Sequence, residues 1–138
     1  MVQNTPAAKR NAIRETVLNR VRDAIDYLEN PIILISSKEP SDLTTFVNIY
    51  FGEGKRERKP SGTEVKAELV IRVNSSASPD QVDLQLDVVA SGIEATMADE
   101  PALNGLVWDS FQSGYAYVDS ENGLYRSLEL VYTIKYED

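Results

Sequence analysis

From Glu64 to Val73 the chain alternates. Val65, Ala67, Leu69, Ile71 and Val73 fall on one side, with Glu64, Lys66, Glu68 and Arg72 opposite. A period of two is the geometry of a strand, whose successive side chains point to opposite faces. The C-terminal run repeats the pattern: Leu128, Leu130, Tyr132, Ile134 and Tyr136 alternate with Ser127, Glu129, Val131, Thr133 and Lys135. Strands with one apolar face are not stable alone, so this chain is committed to a sheet with one face covered.

Helices supply the cover. Thr5-Pro6 reads as an N-cap followed by proline at the first helical position. Ile13, Val17, Val21, Ala24, Ile25 and Leu28 then recur at three and four, with Arg10, Arg14, Arg20, Arg22, Asp23 and Asp26 on the remainder, until Asn30-Pro31 stops the helix. Ser78-Pro79-Asp80-Gln81 reads as a capping box, opening a second helix with Val82, Leu86, Val89, Ile93 and Met97 inward. Glu100-Pro101 restarts a shorter third helix, with Leu103, Val107 and Phe111 inward and Gly114 as its end.

Further strands are expected at Ile32–Ile35, Thr45–Phe51 and Tyr115–Val118, and the final one from Leu124 to Glu137. Gly52–Gly62, with three Gly, one Pro and a basic cluster, reads as a solvated loop. The order α-β-β-β-α-α-β-β places hairpins beside helices rather than alternating crossovers. The expected fold is α+β: a single domain over residues 1–138, with a mixed or mainly antiparallel sheet of about five strands. Two main helices and a short third pack on it.

Composition then removes most chemistry. The 138 residues contain neither Cys nor His. Disulfides, thiolate nucleophiles, Cys- or His-built metal sites and every Ser-His-Asp mechanism are therefore gone. No apolar run approaches the ~18 residues of a membrane span. Met1–Arg14 lacks the apolar core of a signal peptide. A soluble intracellular product is the expectation.

Charge is uneven. The net value is −8, but residues 1–30 carry five basic and four acidic groups, and residues 31–75 carry seven and six. Residues 76–138 carry Arg126 and Lys135 against twelve acids. Phosphates would meet repulsion there, so specific nucleic-acid binding is not expected. Complementary halves suit self-assembly instead.

Four groups are candidates for function. Asp80, Asp83 and Asp87 share one side of a helix and could present oxygen to Mg²⁺ or Ca²⁺, although a solvated face is the plainer reading. The glycines of Gly52–Gly62 lack the phosphate-loop order. Lys55, Arg56, Arg58 and Lys59 suit an acidic neighbour or a nucleic acid. Trp108, Phe111, Tyr115, Tyr117 and Tyr125 suit core packing or an interface. None is a catalytic constellation, and no enzyme activity is expected.

Ile93–Glu137 resembles the phage minor tail protein U family, the tail terminators of long, flexible phage tails. The likeness rests on the helix end running into Pro101-Ala102-Leu103, then Ser113-Gly114-Tyr115-Ala116-Tyr117, the acidic turn Asp119–Gly123, and Leu130-Val131-Tyr132-Thr133-Ile134-Lys135-Tyr136-Glu137. It implies a subunit of a homohexameric ring on the head-proximal end of a completed tail tube, assembled in the host bacterial cytoplasm. Such a ring stops tube polymerisation and joins the head. Its partners would be other copies of itself, the tail tube protein and a head completion or connector protein. No membrane is involved, and DNA passes through without specific binding.

The family carries no catalytic residue. Expected interface residues are Arg56, Arg58 and Lys59, with Asp80, Asp83 and Asp87 as counterparts, and Tyr115 and Tyr117. No cofactor is expected, with Mg²⁺ at most an assembly aid. The alternatives are another head–tail joining or tail-completion protein and, from a different class, a small bacterial ligand-binding or carboxylate-dependent enzyme.

Overall fold

Helix α1 (Pro6–Ile25) begins at its expected cap: Thr5 is extended, its hydroxyl accepts the Ala8 amide at 3.0 Å, and Pro6 opens the helix. Ile13, Val17, Val21, Ala24 and Ile25 are buried along one stripe. The structure is a computed structural model and describes residues 5–26, 33–35, 45–76, 81–120, 123 and 125–138. Leu28 and the Asn30-Pro31 stop lie outside them.

Helix α2 (Val82–Asp99) buries Val82, Leu86, Val89, Ala90, Ile93 and Met97. Its cap differs from the expected box. Gln81 stands at the N-cap rather than inside the helix, and its side chain makes no capping bond. Ser78, Pro79 and Asp80 lie outside the described residues.

The strands are β1 (Ile33–Ile35), β2 (Thr45–Lys59), β3 (Gly62–Ser75), β4 (Asp109–Asp119) and β5 (Arg126–Glu137). Four run antiparallel in the order β2-β3-β5-β4, and the three-residue β1 lies parallel beside β2 over Phe46–Asn48. Both helices cover one face. Their buried stripes meet Val47, Ile49, Leu69, Ile71, Val73, Leu128, Leu130, Tyr132 and Ile134 in one core. Each such aliphatic side chain contributes about 1.5–3 kcal/mol by leaving water. The α+β class and the two helices are as expected.

Two expectations are corrected. Gly52–Gly62 is not a solvated loop. β2 continues to Lys59 and β3 starts at Gly62, so the turn itself is Pro60-Ser61. Gly62, at φ +139°, closes the hairpin in a region open to glycine. Gly54–Lys59 is exposed, so no apolar alternation marks it as strand; backbone pairing with β3 holds it.

The third helix is also absent. Leu103, Asn104 and Gly105 take φ of 50°, 59° and 81°, a left-handed run that no right-handed helix contains. Glu100 fixes this turn by accepting the Asn104 amide at 2.8 Å and pairing with Arg20 of α1, whose guanidinium also donates to Asn104 Oδ1 at 2.7 Å. Leu103 and Val107 are buried as their spacing suggests. Phe111 is not: it belongs to β4, which starts at Asp109.

Candidate assembly surface

Among the described residues, exposed polar and aromatic side chains gather in three places. The first is where α2, β4 and β5 meet. Asp83 accepts from Arg126 Nε at 2.6 Å, and Arg126 also donates to Asp119 at 3.1 Å. These carboxylates hold the Arg126 guanidinium above its usual pKa, the Asp83 bond foremost. Arg126 also sits 5.3 Å from the ring centre of Tyr117.

Tyr117 donates its hydroxyl to Asp87, which pushes the phenol up to about 12. Tyr115 meets Tyr117 edge-on at 6.2 Å and is 67% exposed. Beside these acids, Leu84 and Val88 form an exposed apolar pair on α2, 70% and 52% accessible. Their spacing of four off the buried stripe is visible in the sequence, but two apolar positions on a helix surface do not by themselves mark an interface.

The second place is the β2–β3 hairpin. Arg56 pairs with Asp138 at 3.1 Å and Lys59 with Glu64 at 2.6 Å, the latter bond raising the lysine above its usual value. Among the described residues Lys55 and Arg58 make no ion pair, and both are exposed. The hairpin end and the Asp83–Arg126 cluster lie at opposite ends of β5, roughly 36 Å apart at ~3.3 Å per residue. One subunit therefore does not bring Arg56, Arg58 and Lys59 to Asp83 and Asp87. Asp80 is outside the described residues.

The third place is the sheet face without helices, together with the β4 edge. Registration lines Lys55, Lys66 and Lys135 in one row across β2, β3 and β5, ending at Asp109 on β4. The next row on the same face is Glu57, Glu64 and Glu137. Like charges directly opposite each other destabilise a sheet, so each row depends on opposite charge from its surroundings. An open groove of about 610 Å³ runs beside the lysines, lined by Glu53, Lys66, Glu68, Gly114 and Thr133. These rows could not be read from sequence, because they exist only once the strand register is known.

Trp108 is 55% exposed and Phe111 43%, with Lys135 Nζ 5.7 Å from the Phe111 ring centre. Tyr125, by contrast, packs edge-on against the buried Phe46 at 5.5 Å. Among the described residues no three His, Cys, Asp or Glu side chains are grouped to hold a metal ion. Asp83 and Asp87 engage Arg126 and Tyr117 instead. Among the described residues no helix is long and apolar enough to cross a membrane.

The family model described as phage minor tail protein U matches residues 8–136. No curated protein matches the sequence. Among solved structures, a chain from the virion of a native gene transfer agent particle is similar at a TM-score of 0.55 and 12% identity. That match covers 94% of this chain and 97% of the other, and it shows a shared fold.

Proposed function

This chain belongs to the phage minor tail protein U family, and from that premise we propose that six copies close into a ring capping the finished tail tube. It is a structural protein of the phage virion and not an enzyme. In the proposed reading the ring sits at the head-proximal end, stops tube polymerisation and offers the surface that joins the DNA-filled head. Its partners are its own copies, the tube protein and a head completion protein.

The observation that carries this reading is the separation of two unlike surfaces on one subunit. The hairpin of β2 bears Lys55 and Arg58, which make no ion pair among the described residues, and β4 at the opposite edge of the sheet bears Asp109 and Asp119 with no cation of its own. A ring needs two different faces of the same chain to meet head to tail, since a face that matches only itself stops at a dimer. Incubation with purified tail tubes tests the proposal, read by negative-stain microscopy. The expected result is a cap at one end of each tube and no growth when tube protein is added. Binding along the tube walls, or continued growth from capped ends, would refute it.

A further inference from the structure

The ring reading leaves open how neighbouring subunits join, and the sheet edges speak to that. Among the described residues, β4 has no strand on its outer side. Among the described residues β2 is covered by β1 only over Phe46–Asn48, and no strand lies on its outer side from there to Lys59. Open edges with exposed aromatics invite pairing by another chain unless something covers them. Here Trp108 and Phe111 stand at the β4 edge.

Direction and charge select the occupant. The four strands alternate in direction, so β2 and β4 run opposite ways. Rotation about an axis along the strands leaves each direction unchanged, and β4 of one copy would therefore meet β2 of the next antiparallel. β4 carries Asp109 and Asp119 with no cation, whereas Glu53–Lys59 carries four cations and two acids. The row Lys55–Lys66–Lys135 ends on Asp109, and the next copy's row begins at its Lys55.

We infer that the sheet continues from copy to copy. The first residues of β4, Asp109–Gln112, pair antiparallel with Gly52–Lys55 of the next copy, Asp109 opposite Lys55, so that Asp109 stands between Lys135 of its own chain and Lys55 of its neighbour. The inference rests on the ring reading and names its contact. Bulges at Gln112/Gly114 and Phe51/Gly54, in adjacent rows of the sheet, mark the far end of the paired segment. Beyond them β1 occupies the edge.

The absence of native cysteine makes the test clean. Asp109→Cys is combined in turn with Lys55→Cys, Glu57→Cys and Lys59→Cys, three alternate positions on one face of β2. Each double variant is oxidised mildly and read on non-reducing gels beside its mass in solution. A reducible ladder rising to six copies is expected, strongest with Lys55→Cys, and no cross-link from any single variant. Because these changes remove charge, a second set exchanges it: Lys55→Asp and Asp109→Lys each weaken assembly, and the two together restore it. A six-copy assembly with no ladder at any of the three positions, or no restoration by the exchange, overturns edge pairing and leaves the ring standing. A parental chain that never assembles, alone or on tubes, overturns the ring itself.

Discussion

Tyr117 ties β4 to α2 through a single hydroxyl. It donates to Asp87, and that bond, more than burial, pushes the phenol from 10 to about 12. The sign follows from linkage: a phenol raised on folding stabilises the fold fully below pH 10 and loses that contribution as pH climbs through 12. Asp87→Asn is expected to return Tyr117 toward 10, seen as earlier phenolate absorbance in an alkaline titration. An unmoved titration would assign the shift to something other than this bond. Glu100 works in the opposite sense, its carboxyl held below 4.5 chiefly by the Asn104 amide and then by Arg20, so its clamp on the turn loosens in acid. Sequence marked Asp87 and Tyr117 separately as surface candidates. Their bond became visible only when the fold set β4 beside α2.

At the scale of elements, what could be read depended on whether a periodic face was buried. α1 and the buried stripe of α2 were legible because their apolar spacing coincides with their packing. The inward residues of β3 and β5 were legible for the same reason. Gly54–Lys59 was not, since a charged strand exposed on its free side shows no alternation; its partner β3 supplies the order. Leu103, Val107 and Phe111 misled because a spacing of four also arises when a left-handed turn feeds an edge strand. The hairpin carries its own prediction. Arg58 makes no ion pair among the described residues, so Arg58→Glu is expected to leave the melting transition within about 0.5 kcal/mol of the parent. Assembly should need on the order of tenfold more protein, a penalty of about 1.4 kcal/mol per contact. Sedimentation read beside a thermal melt checks both, and unchanged assembly would remove the hairpin from the interface.

For the whole molecule, net charge sets the terms of association. Each subunit carries −8, and six together carry roughly −48, a repulsion that salt and Mg²⁺ screen. Attraction must therefore be local: an acidic edge against a basic one, repeated head to tail until the rotation closes. Closure also distinguishes a ring from a fibre, because a closed assembly has one size and an open one does not. Sedimentation of the 15.4 kDa chain across protein concentration, with and without salt and millimolar Mg²⁺, reads this directly. The expected result is a single heavier species near six times the subunit mass, favoured by screening and not exceeded at higher concentration. A mass that stays at one subunit under every condition, or that grows without limit, would contradict a self-closing ring.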